Sequence, residues 1–243
     1  MRGLKAILFD KDGTLVHFDR TWGPAAGAVM RALAGDDTAA LRRLEEVSHY
    51  LPDEERFLFT SPLVAGSSAH YGPLWALALR QEASDAFLSR IDQLFSEEGL
   101  RHLTPVGQPR RVLADLKAAG LHIGIVTNDA EDNARLQSDA LDLTPLLDAV
   151  IGYDSGFGSK PDPGMVTAFC RRFQLAAAEV AVVGDSTHDL SAARAAGSRF
   201  ILVRTGPAPV DAMMDAADLV VDSIDDLTPA LFGLAPAGET PRC

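Results

Sequence analysis

The chain has 243 residues, 47% of them hydrophobic, with 34 acidic against 22 Lys and Arg side chains and a formal net charge of -12. That length suits one large α/β domain or a core with a smaller module. The acidic balance argues against nucleic acid as a partner, because a phosphate backbone demands a basic face, but a small anionic substrate stays compatible, since a site can be locally positive in an acidic protein.

The first predicted element is a strand over Ala6-Ile7-Leu8-Phe9. This apolar run is too short to read as a signal peptide, and no stretch approaches the length of a membrane span. Cys170 and Cys243 are the only cysteines, and no structural disulfide is expected. The expectation is a cytoplasmic protein with no membrane partner. Directly after the strand stand Asp10-Lys11-Asp12-Gly13-Thr14. Two acids beside a buried strand end are costly unless they hold a cation or do chemistry.

Residues 17–102 show no strand rhythm. Helical patterns cover 24–33, 38–50, 69–80 and 83–97, with Asp37 or Thr38 and Ser84 as candidate N-caps. This stretch reads as an inserted all-helical module. Trp22, Trp75 and Phe87 fall on its apolar stripes and read as its core. The loop over 59–68, ending Gly66-Ser67-Ser68, is its candidate for substrate contact, with a plain connector as the simpler reading.

From 103 onward short apolar runs alternate with helical patterns. The runs are 121–126, 149–151, 180–183 and 200–203, with 219–221 as a late edge strand. Helices are expected over 109–119, 132–141, 163–174 and 190–196. The alternation predicts an α/β fold: a Rossmann-like, doubly wound parallel sheet built from residues 1–16 and 103–243.

In such sheets ligands bind beyond the carboxyl ends of the strands. There stand Asp10 and Asp12, then Thr127-Asn128, then a Gly-rich loop leading to Lys160-Pro161, then Gly184-Asp185-Ser186-Thr187-His188-Asp189. The inventory suits phosphoryl transfer. Asp10 and Asp185 can supply carboxylates to Mg²⁺, and Thr127, Asn128 and Lys160 can hold phosphate oxygens. Asp10 can attack phosphorus, and Asp12 can protonate the leaving oxygen and later take a proton from water. Simpler readings exist for each: a solvated turn or helix cap for the first pair, helix caps for Thr127 and Asp185, a first-turn acid favoured by the helix dipole for Asp189, a surface lysine for Lys160. Asp154, Asp162 and His188 read as structural, and His17, His49, His70, His102 and His122 form no metal-ligand spacing.

The four motifs, in this order and each after an expected strand, resemble those of the haloacid dehalogenase superfamily, in its phosphoglycolate phosphatase-like branch. The resemblance implies Asp10 as nucleophile, Asp12 as acid/base and backbone metal ligand, Thr127 and Lys160 on phosphate, Asp185 on Mg²⁺ and Asp189 nearby. It also implies a helical cap over 17–102. Lys11 departs from the pattern, since an apolar residue is commoner there in this branch. The implied activity is Mg²⁺-dependent hydrolysis of a small phosphorylated metabolite. The alternatives are a phosphomutase of β-phosphoglucomutase type and a non-catalytic phosphate-binding protein. Asp12 argues against dehalogenation, and the absence of lysine from residues 17–102 argues against a Schiff-base mechanism there. Nothing in the sequence selects an oligomeric state.

Overall fold

The computed structural model describes residues 1–64 and 68–235, so Gly66 and Ser67 of the candidate loop, and Cys243, lie outside the described residues. The chain divides into two units, one of residues 1–17 and 105–243 and one of residues 18–104.

The first unit is a six-stranded sheet. Its strands are β1 (Ala6–Phe9), β4 (His122–Val126), β5 (Ala149–Ile151), β6 (Val180–Gly184), β7 (Arg199–Val203) and β8 (Leu219–Val221), in the spatial order β5-β4-β1-β6-β7-β8. Every pairing is parallel. The connecting helices are α5 (Pro109–Ala118), α6 (Glu131–Ala140), α7 (Gly164–Phe173), α8 (Thr187–Ala196) and the short α9 (Asp211–Met214). All four β1 side chains are fully buried, as a parallel strand covered on both faces requires. Ala6 and Leu8 face a cluster with Met165, Phe169, Ala193 and Met213. Ile7 and Phe9 point the other way by the pleat.

The strand order reverses direction at β1, with the later strands β4 and β6 on either side. The register sets Phe9 beside both Ile125 and Val183. The carboxyl ends of β1, β4 and β6 therefore share one edge of the sheet, the location where open α/β sheets place their ligands. Close approach is bought at Gly124, where a Cβ would meet Leu8 and Phe169 side chains at 2.8 Å.

The second unit holds α1 (Phe18–Ala34), α2 (Thr38–Val47), α3 (Ser68–Ala78) and α4 (Asp85–Arg101). Asp37 caps α2 through the N–H groups of Ala39 and Ala40, and Ser84 caps α4 through Phe87 N–H. Its core centres on fully buried Trp75, ringed by Tyr71 and Phe95. The Trp75 indole N–H donates to Ser48 Oγ at 2.8 Å, which satisfies its one polar atom.

One expectation needs correction: the unit is not all helical. A small antiparallel ladder pairs β2 (Tyr50–Leu51) with β3 (Arg56–Phe57). Tyr50 and Phe57 pack edge to face at 5.4 Å, and Tyr50 Oη donates to the Gly23 carbonyl at 2.9 Å. Strands of two residues are too short to display alternation, so the helical pattern before them runs on unbroken in the sequence.

Candidate active site

The site assembles at the shared edge of β1, β4 and β6 within the sheet unit. Asp10 follows β1 and is held to β6 by its own N–H, which donates to the Val183 carbonyl at 2.8 Å. Gly13 then turns the chain at φ +85°, a conformation that suits glycine. The turn closes through Gly13 N–H to the Val16 carbonyl at 2.7 Å. Beyond β7, Thr205 Oγ1 donates to the Gly13 carbonyl at 2.6 Å and ties that strand end to the same turn.

Asp185 follows β6 directly and is buried. Thr14 Oγ1 donates to its Oδ1 at 3.2 Å. Its carboxylate is tightly walled. A Cβ on Gly206 would lie 1.8 Å from Asp185 Oδ2, and one on Gly13 would lie 2.5 Å from the same atom. The two glycines thus make the space that the carboxylate occupies.

Lys160 reaches the centre from the loop after β5. Its Nζ lies 2.5 Å from Asp10 Oδ1 and 2.6 Å from Asp189 Oδ1, with all three groups buried. Asn128 fixes the backbone that carries this lysine: its Nδ2 donates to the Lys160 carbonyl at 2.9 Å, and its Oδ1 accepts the Lys160 N–H at 2.8 Å. The Asn128 side chain is therefore engaged on the protein at both ends. Asp189 also closes the capping box of α8, where Ser186 Oγ accepts from Asp189 N–H and Asp189 Oδ2 accepts the Ser186 N–H at 3.1 Å. One acid thus caps a helix and anchors the lysine.

Thr127 is 1% exposed and sits at the end of β4; its Oγ1 accepts the Asp129 N–H at 3.1 Å. That bond leaves the hydroxyl proton to point elsewhere. Asp12 is half-buried, and its Oδ2 lies 2.7 Å from the Nζ of Lys11. Asp154 takes the Glu131 N–H at the start of α6, and His188 lies half-buried in the first turn of α8. The Asp154 bond holds the start of α6.

The electrostatics follow from burial. Desolvation pushes the Asp10 carboxyl up to about 7, against the pull of Lys160, with Asp189 and Asp12 adding repulsion. Asp185 is likewise raised well above the usual carboxylate range, by burial first and then by Asp10 and Asp189. Burial works against the Lys160 charge, but the Asp10 and Asp189 carboxylates outweigh it and hold its pKa above the ordinary lysine value. Asp10, Asp185 and Asp189 have ligand atoms all within 4.8 Å of one another. Three buried carboxylates facing one ammonium are short of positive charge. An all-oxygen donor set of this kind fits a hard divalent cation. Since both Asp189 oxygens are engaged by Lys160 and Ser186, Asp10 and Asp185 are the acids suited to hold it.

Reasoning from the sequence missed four groups. Thr205 and Gly206 follow β7, where the strand-end rule that found the others would have found them. Asp129 and Gln137 surround Lys11, and nothing in their spacing from residue 11 signals the meeting.

The profile of the haloacid dehalogenase-like hydrolases matches residues 4–197. Phosphoglycolate phosphatase from Rhodospirillum rubrum is 32% identical over 203 residues, spanning 83% of this chain and 80% of that protein. Among solved structures, a protein assigned as a phosphoglycolate phosphatase from Haemophilus somnus 129PT superposes with a TM-score of 0.70 at 21% identity, covering 93% of this chain and 97% of the other. One assigned as a β-phosphoglucomutase from Thermotoga maritima gives 0.69 at 21% identity, covering 94% and 98%. These two likenesses establish the fold. With the profile spanning most of the chain, and a relative of that identity alongside it, the chain belongs to the haloacid dehalogenase-like hydrolase family.

Proposed function

We propose that this chain is a Mg²⁺-dependent phosphomonoesterase acting on a small phosphorylated metabolite through an aspartyl-phosphate on Asp10. The observation that carries the reading is the convergence of Asp10, Lys160 and Asp185 beside Asp12 and Thr127 at one sheet edge. Asp10 and Asp185 would hold the metal ion, together with the Asp12 carbonyl. When bound, that ion supplies charge stabilisation for the phosphoryl oxygens.

Asp10 attacks phosphorus, the bond to the leaving oxygen breaks, and Asp12 donates a proton to that oxygen. Water then attacks the phosphorus of the aspartyl-phosphate. Asp12 takes the water's proton, inorganic phosphate leaves, and Asp10 is regenerated. Lys160 offsets repulsion between the Asp10 carboxylate and the approaching phosphate, and Thr127 Oγ1 donates to a phosphoryl oxygen. Any contact from Asn128 to phosphate falls to its backbone N–H, because its side chain is spent on Lys160.

The branch named by the Rhodospirillum relative makes 2-phosphoglycolate the first substrate to try. A soluble cytoplasmic metabolite fits the sequence; among the described residues, no helix is long and apolar enough to cross a membrane. The test is phosphate release from a panel of phosphorylated metabolites with Mg²⁺, ranked by kcat/KM. Release abolished by Asp10→Asn supports the reading, and no release from any member sinks it. Conversion of a sugar 1-phosphate to its 6-phosphate with trace bisphosphate would replace hydrolysis by phosphomutase action.

A further inference from the structure

A second buried lysine stands beside the reacting pair. Lys11 is 2% exposed. An ammonium in such a place is costly unless its protons are matched, and a methionine of similar length would fill the space without that cost. Three oxygens match it here. Lys11 Nζ lies 2.7 Å from Asp12 Oδ2, 3.1 Å from Asp129 Oδ2 and 2.8 Å from Gln137 Oε1.

The far side of this cage is built to hold still. Asp129, Asn133 and Gln137 are spaced by four, so they rise along one face of α6 and the turn before it. Asp129 Oδ1 accepts the Ala130 N–H at 2.8 Å, and its Oδ2 accepts from Asn133 Nδ2 at 2.6 Å. Gln137 is fully buried, and its Nε2 has no hydrogen-bond partner among the described residues. The amide orientation is dictated by Lys11, which can only donate, so Gln137 must turn its oxygen inward and strand its nitrogen. A buried amide nitrogen without a partner is unfavourable and carries a cost. The fold bears that cost to keep the ammonium in place.

The near side of the cage is Asp12. We propose that Lys11 is a positioning residue for proton transfer: by fixing Oδ2 it fixes the plane and rotamer of the Asp12 carboxylate, so that the acid meets the leaving oxygen in line. This rests on the role proposed above for Asp12. Misplacing a catalytic group by about 1 Å can cost about a hundredfold in rate. The loss should depend on how much the leaving group needs the proton.

The experiment compares kcat/KM on two aryl esters, p-nitrophenyl phosphate with a good leaving group and phenyl phosphate with a poor one. Asp12→Asn is the benchmark and should lose far more on phenyl phosphate than on p-nitrophenyl phosphate. Lys11→Met should share that selectivity, losing about ten- to a hundredfold more on phenyl phosphate. Gln137→Met loosens one of the three holds on Lys11 and removes the stranded amide, so it tests the idea even if Lys11→Met fails to fold. It should show the same selectivity at a few-fold level. Equal losses on both esters in the foldable variants, with Asp12→Asn selective, would overturn the role of Lys11 alone. A wild-type enzyme inert on both esters, or an unselective Asp12→Asn, would overturn the parent reading instead.

Discussion

Two lysines lie buried in the sheet unit, each between two carboxylates, and they serve opposite neighbours. Lys160 bridges Asp10 and Asp189, while Lys11 bridges Asp12 and Asp129. The Lys160 cluster carries a third buried acid, Asp185, and so has more negative charge than its ammonium can offset. The Lys11 cluster is completed by a neutral amide, Gln137. The difference is instructive. On the function proposed above, the cluster with the larger excess of negative charge suits a cation and a phosphate, and the one completed by an amide suits holding the Asp12 side chain still.

The comparison breaks most visibly at Asp10. Asp10→Asn should lower kcat by about ten-thousandfold or more, as loss of a nucleophile does. It should also raise Tm at pH 8 in the absence of metal, because burial and neighbouring acids disfavour the Asp10 charge. Next in size, Lys160→Met should cost about 3–5 kcal/mol of stability, since it strands Asp10 and Asp189 without their counter-charge. Chemical denaturation of the metal-free protein measures that directly, and a loss below 1 kcal/mol would mean the carboxylates find other partners.

A pH series sharpens the contrast further. Folded Asp10 titrates near 7, above its unfolded value of 3.8, so the folded state keeps a proton that the unfolded chain releases. Metal-free stability should therefore fall as pH rises from about 4 to about 7. A divalent cation competes with that proton, so added Mg²⁺ should raise Tm more at pH 8 than at pH 5.5. Equal shifts at both pH values would remove Asp10 from the metal site. The smallest effect is expected at Gly206→Ala, whose new Cβ would crowd Asp185 Oδ2. Its signature is a higher Mg²⁺ concentration for half-maximal activity, with KM for the ester nearly unchanged.

The Lys160 cage was largely legible in the sequence, because each of its members follows an apolar run that a parallel sheet buries. Asp10, Thr127 and Asp185 share an edge simply because β1, β4 and β6 are neighbours in register. The Lys11 cage was not. Lys11 is one letter in a motif, and its partners Asp129 and Gln137 lie just before and on α6, far from it in sequence. What joins them is the reach of the Lys11 side chain to α6 and the turn before it, which periodicity does not specify. The β2–β3 ladder escaped for a related reason. It is held by the aromatic pair of Tyr50 with Phe57 and by the Tyr50 hydroxyl on Gly23, the latter a contact made at a distance in sequence.

The central place of β1 sets an order of events in synthesis. Ala6–Phe9 is made well before its neighbour β6, which begins only at Val180. At about 5–20 residues per second, roughly ten seconds or more separate the two. Throughout that interval the edge of β1 that β6 covers is open to unwanted pairing, whereas β4, made from His122 onward, can cover the other edge sooner; the acids that follow β1 act as a charged gatekeeper at its end. Asp10 is thus made long before Asp185, the buried acid it meets at the sheet edge.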